Sequence, residues 1–130
     1  MSFAIDRIDH LVLTVRDLAA SLHFYERVLG ARVVPPAQGR GPTAVAFGRQ
    51  KINLHVAGKE FEPRATHPTV GAGDFCLVTE APIAAVVAHL EACGVAVELG
   101  PVPRRGALGK MTSVYFRDPD GNLVEVARYG

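Results

Sequence analysis

The order strand, helix, strand, strand, strand occurs twice along this chain, and the duplication restricts its fold more than any other feature. In the first half, residues 8–15 are β-branched and half alternating, as suits a strand with one packed face. Asp17 then caps a helix whose Leu18, Leu22, Tyr25 and Leu29 recur at helical spacing, and Gly30 ends it. Extended pieces follow at residues 32–34, 43–47 and 51–56. In the second half, residues 74–79 read as a strand and Pro82 opens a helix with Ile83, Val86, Val87 and Leu90 on one stripe. Gly94 stops that helix, and strands are expected at 95–98, 113–116 and 123–126. Gly30 and Gly94 are 64 residues apart, as are His10 and Asp74, whereas Phe47 and Phe116 differ by 69 and His55 and Glu125 by 70.

This pattern predicts an α+β fold of two βαβββ modules, at about residues 5–57 and 73–130, with a Gly- and Pro-rich connector at 58–72 inside one domain. Side by side, the modules would form a curved eight-stranded sheet whose concave face collects residues from equivalent positions of both halves. A chain of 130 residues, 48% of them hydrophobic, needs no disulfide or structural metal to bury a core. Cys76 and Cys93 lack CxxC spacing and read as two reduced, buried thiols. A net charge of +1, with Arg and Lys scattered among acids, gives no extended positive field and argues against nucleic acid as a partner. No apolar run approaches the ~20 residues of a membrane span, and the start lacks a basic segment followed by an apolar one. The expectation is a cytoplasmic protein that acts on a small molecule.

By side-chain alternation, His10 and Asp74 open the first strands of the two halves, and His55 and Glu125 lie near the ends of the last ones. Two imidazoles and two carboxylates suit a divalent ion such as Ni, Co, Mn, Fe or Zn with open water positions, rather than a closed Cys-rich zinc site. Each residue also has a simpler reading. Asp74 follows Gly71-Ala72-Gly73 and can be a turn residue, and His55 can be an ordinary strand-end histidine. Glu125 lies in an otherwise apolar strand, where a buried carboxylate demands a partner.

Ile8 to Val15, the helix carrying Phe24-Tyr25 and Leu29-Gly30, and the run from Phe116 through Asp118-Pro119-Asp120-Gly121-Asn122 to Glu125 resemble the vicinal oxygen chelate superfamily of glyoxalases, bleomycin resistance proteins and dioxygenases. Lys51 to His55 and Glu60-Phe61-Glu62-Pro63 are most similar to its branch called glyoxalase domain-containing protein 5. The resemblance spans almost the whole chain. It implies paired βαβββ modules, a divalent metal at the four equivalent positions, and a homodimer with active sites near its interface. It further implies a glyoxalase-type lyase or isomerase, similar to lactoylglutathione lyase, acting on a vicinally oxygenated substrate that can be a glutathione adduct. Glyoxalase I carries His or Gln, Glu, His and Glu at the four positions, whereas this chain reads His10, His55, Asp74 and Glu125. Glu125 retains the carboxylate that would move the proton.

Arg104, Arg105 and Lys110 form a basic, glycine-punctuated stretch expected to be a loop, either clamping a substrate carboxylate or simply solvated. Tyr115 matches the position of a substrate-contacting tyrosine in fosfomycin-resistance enzymes of the superfamily. Alternatives within the resemblance are an extradiol-type dioxygenase using His10, His55 and one acid, a fosfomycin-type thiol transferase, and a metal-free drug-sequestering protein.

Overall fold

The computed structural model describes residues 2–130, which divide into two compact units between Pro68 and Thr69. The first contains β1 (His10–Val15), α1 (Leu18–Leu29), β2 (Arg32–Val34), β3 (Thr43–Phe47) and β4 (Gln50–Val56). The second contains β5 (Asp74–Val78), α2 (Ile83–Ala92), β6 (Leu99–Gly106), β7 (Gly109–Arg117) and β8 (Leu123–Tyr129). Both βαβββ modules are therefore present. Their strands hydrogen-bond as two sheets of four, in the orders β1-β4-β3-β2 and β5-β8-β7-β6, rather than as one ladder of eight. In each unit the first strand pairs parallel with the last, and the remaining pairs are antiparallel.

Asp17 caps α1 as expected: its backbone is extended and its carboxylate accepts from the Ala20 N–H at 3.2 Å. Gly30 closes the helix at φ 67°, a left-handed conformation that a Cβ would disfavour. The buried stripe is Ser21, Tyr25 and Val28, one position away from the expected stripe, of which only Tyr25 is fully enclosed. That stripe faces a sheet surface of Leu13, Val15, Val45, Ile52 and Leu54, all buried. The second core comprises Leu90 of α2 with Val114, Phe116, Val124 and Val126.

The largest departure from expectation is β6. It begins where the strand expected at 95–98 ends, and it forms a long hairpin with β7. Pro101 and Pro103 make this segment look unlike a strand, but β6 lies at the sheet edge, where a missing N–H is tolerated. The register shifts between Leu99 and Val102, and Gly100 sits there at φ 113° with a Cβ position only 2.5 Å from the Ser113 carbonyl oxygen. Only glycine fits that approach. Arg104 and Arg105 consequently belong to β6 and Lys110 to β7, so the expected basic loop is a β-hairpin turning at Ala107 and Leu108. No helix among the described residues is long and apolar enough to cross a membrane.

Replacing Asp17 with Ala leaves the Ala20 N–H without its side-chain acceptor. The variant is expected to lose about 1 kcal/mol of unfolding free energy in urea denaturation with an unchanged m-value.

Candidate functional site

In the first unit, the parallel register sets His10 beside Lys51, Val12 beside Asn53 and Thr14 beside His55. Paired residues share a sheet face, so these six side chains lie together opposite the helix-covered core, joined by Ala44 and Ala46 of β3. The same register separates His10 from His55 by four residues along the strand direction, roughly 13 Å at ~3.3 Å per residue. Two nitrogens on one ion each lie ~2.1 Å from it, and side chains standing off a sheet do not close such a gap. His10 and His55 are thus not brought together.

The residue within diagonal reach of His10 is Asn53, which the sequence reading missed. Comparing the two registers shows why. In the second unit Asp74 pairs with Leu123 and Cys76 with Glu125, so Glu125 stands two residues along from Asp74's partner, as Asn53 does from that of His10. The structural counterpart of Glu125 is Asn53, at an offset of 72 residues, not His55 at 70. The Phe47 and Phe116 landmarks are themselves out of step, because Phe116 faces Val124 as Val45 faces Ile52. The longer β7–β8 turn hides this shift from simple counting.

Asn53 is 9% exposed, and its Oδ1 is a buried acceptor without a hydrogen-bond partner. An unmet buried acceptor costs on the order of 1–3 kcal/mol. His10 is open to solvent, and its Nδ1 lies 2.9 Å from Asp9 Oδ2. With the proton on Nδ1 donated to Asp9, Nε2 is left as a free electron-pair donor. The hydrogen bond from His10 is the main reason the Asp9 carboxyl is held below its ordinary range, with Arg7 and Lys51 adding smaller Coulombic contributions. His55 is buried and packs edge-on to Phe61, ring centres 5.5 Å apart. Beside it, Glu60 accepts from the Gly58 N–H at 2.9 Å and from Arg64 at 3.2 Å, and the Gly58 bond leads in lowering its pKa.

In the second unit, Asp74, Cys76, Ser113, Tyr115, Arg117 and Glu125 share one face. Ser113 is fully buried and its hydroxyl donates to Glu125 Oε2 at 2.6 Å, which answers the demand for a partner raised by this carboxylate in an apolar strand. Tyr115 is the cross-strand neighbour of Glu125, and its hydroxyl accepts from Arg104 Nε at 2.9 Å. Arg104 therefore belongs to the Glu125 face, whereas the pairing of Arg105 with Lys110 puts both on the opposite face. Arg117 is engaged by Glu98 through two hydrogen bonds of 2.9 and 3.0 Å.

Both cysteines are reduced thiols, but Cys76 is exposed and Cys93 partly so, contrary to the expectation that both are buried. Cys76 lies with Asp74 and Val78 on the face of β5 away from the core of Val124 and Val126, and that face is the more open one. The Cys76 sulfur nevertheless lies against Glu125. Desolvation first, then the carboxylate's charge and a hydrogen bond with it, push the thiol up to about 11.

Among the described residues, no three His, Cys, Asp or Glu side chains form a group that could hold a metal. The candidate donors occur as pairs, His10 with Asn53 in one unit and Asp74 with Glu125 in the other. Each pair offers nitrogen or oxygen atoms of the kind divalent ions prefer, and the orphaned Asn53 Oδ1 is an acceptor that a cation or a donor hydrogen would satisfy.

A family model described as the Glyoxalase/Bleomycin resistance protein/Dioxygenase superfamily matches residues 7–126, and the chain belongs to that superfamily. It is 51% identical over 125 residues to virulence protein STM3117 of Salmonella typhimurium, covering 96% of this chain and 85% of that protein. The crystal structure of STM3117 matches with a TM-score of 0.94, over 98% of this chain and 100% of that one. Identity to the glyoxalase domain-containing protein RDO1 of Mycosarcoma maydis is 49% over 122 residues, 94% of this chain and 68% of the relative. A lactoylglutathione lyase from Agrobacterium tumefaciens is 30% identical with a TM-score of 0.73, over 95% of this chain and 94% of that one.

In a Cys93→Ser background, iodoacetamide should label Cys76 slowly at pH 8, with the rate rising about tenfold per pH unit towards pH 11, because only the thiolate reacts. Glu125→Gln removes the charge that opposes ionisation and should accelerate labelling at pH 8. An unchanged rate in that variant would contradict the Cys76–Glu125 contact.

Proposed function

We propose that the protein is a divalent-metal-dependent lyase or isomerase of the glyoxalase type, acting on a small vicinally oxygenated substrate. The observation that carries this reading is the matched register of the two units, which repeats one donor pair, His10 with Asn53, as a second pair, Asp74 with Glu125. His10 and Asn53 in the first unit, and Asp74 and Glu125 in the second, are the proposed ligand-bearing pairs. Asn53 replaces His55 in the set, and the separation of His10 from His55 also weakens a dioxygenase that would need both histidines. A bound divalent ion would supply Lewis-acid polarisation of adjacent substrate oxygens.

The protein's own groups account for the remaining chemistry. Glu125 is the proposed general base, moving a proton between adjacent carbons. Ser113 occupies its Oε2, which fixes the carboxylate in place. Because the counterpart of Glu125 is a neutral amide, proton transfer rests on one carboxylate, and Asn53 orients a substrate donor or holds the ion. Tyr115 and Arg104, joined at 2.9 Å, form the proposed contact for a substrate carboxylate, including that of a glutathione adduct. Arg105 and Lys110 contribute only longer-range positive charge from the other face. The proposed assembly is a homodimer. Its support is the exposure of Phe3, Ile5 and Ile8 in the first unit and of Val78 in the second, together with the position of β1 and β5 at the edges of their sheets.

Protein purified without chelator is expected to carry a divalent ion measurable by elemental analysis. His10→Ala and Glu125→Gln should each weaken Ni²⁺ or Co²⁺ binding by at least about tenfold in calorimetry, whereas His55→Leu should leave it within a few-fold. Undiminished binding in both of the first two variants would discard the metal assignment. Turnover of methylglyoxal with glutathione tests the substrate class, and its loss on chelation is the expected outcome.

A further inference from the structure

The run Asp118-Pro119-Asp120-Gly121-Asn122 does more than turn the chain between β7 and β8. Asp118 and Asn122 are 6% and 1% exposed, and almost every polar atom between them is spoken for. Asp118 Oδ1 accepts from the backbone N–H groups of Asp120 at 2.9 Å and Asn122 at 3.0 Å, and Oδ2 accepts from Asn122 Nδ2 at 2.8 Å. This orients the Asn122 amide so that its Oδ1 accepts from the Gly73 N–H at 2.7 Å, across 49 residues of sequence. The Gly73 carbonyl in turn accepts from the Leu123 N–H at 2.9 Å. Gly73 is thereby held on both sides, immediately before Asp74. Two residues earlier Gly71, at φ 78°, presents a Cβ position only 2.7 Å from the Asp120 carbonyl oxygen, so this segment lies against the turn backbone itself.

A turn needs only its local hydrogen bonds, and a buried asparagine that reaches a distant glycine is doing something further. β5 is an edge strand held laterally by β8 alone, so its start is the place where its register would fray. We infer that Asn122, held in place by Asp118, is a positioning residue for Asp74: it clamps Gly73 so that the Asp74 carboxylate is presented on the same face as Glu125. The inference rests on the proposed role of Asp74 as a ligand and extends it to residues that contact no ligand themselves.

The test uses the full chain and Co²⁺ alone as the probe, read by calorimetry and by the visible absorption of the bound ion. Asn122→Ser shortens the side chain away from Gly73. It is expected to weaken Co²⁺ binding about 10- to 100-fold and to shift the absorption, as loss of a ligand-orienting contact does. Gly71→Ala, whose Cβ would press on the Asp120 carbonyl and push this segment away from the turn while leaving both the Asp118 and Asn122 side chains in the sequence, should act in the same direction and replaces Asn122→Ser if that variant does not fold. In combination with Asp74→Asn, either change should cause little further loss, because the clamp acts through Asp74. Fully additive losses, or parent-like affinity and absorption in both clamp variants while Asp74→Asn weakens binding, would overturn the positioning role alone. Unaltered binding in Asp74→Asn would overturn the ligand role of Asp74 and the positioning role with it.

Discussion

Everything on the functional face follows from one constraint, the parallel pairing of the first and last strands in each unit. A parallel pair cannot be closed by a tight turn, so the chain between its members must cross over, and here it supplies a helix and two further strands on the way. Once β1 lies beside β4 and β5 beside β8, the two-residue period of a strand decides which side chains share a surface. A slip of one residue would turn His10 and Asn53, or Asp74 and Glu125, into the apolar core and bring out apolar neighbours, Leu11 and Leu54 in one unit or Phe75 and Val126 in the other. Leu13, Val15, Ile52 and Leu54 under α1 and Val114, Phe116, Val124 and Val126 in the second core make such a slip costly. Packing on one face thus fixes chemistry on the other.

The buried polar groups divide into two kinds. Ser113 with Glu125, and Asp118 with Asn122, are mutually satisfied and hold backbone or carboxylate geometry. Asn53 Oδ1 is buried without a partner, on a surface shared with a solvent-open histidine. Native interiors rarely leave an acceptor in that condition, and where they do, the position commonly belongs to a site rather than to the scaffold. The two units therefore differ at the position they share: the second carries a hydrogen-bonded carboxylate and the first an amide with an unmet demand.

Helices and most strands were legible because their signals are local. Asp17 and Gly30 bound α1 in the structure as in the sequence, and the strands at 43–47 and 32–34 occur as read. β6 was not legible, since Pro101 and Pro103 disqualify a strand unless it is known to lie at an edge, and edge position is a property of the assembled sheet. His55, and not Asn53, stands out in the sequence for a related reason. Residue chemistry favours an imidazole over an amide, and counting between repeats cannot see that the β7–β8 turn is longer than its counterpart. The solvent exposure of Cys76 likewise depends on which face of β5 packs on the core, and that face is set by the register with β8.

The amino-acid order alone determined the duplicated βαβββ plan and the superfamily and singled out His10, Asp74 and Glu125 as candidates, because capping residues, hydrophobic period and motif are written along the chain. Tertiary structure decided which side chains stand next to these three. Asn53 gained its place beside His10, Ser113 its bond to Glu125, and Asn122 its hold on Gly73 through strand register and long-range hydrogen bonds, which join residues whose separation in sequence carries no signal of their contact.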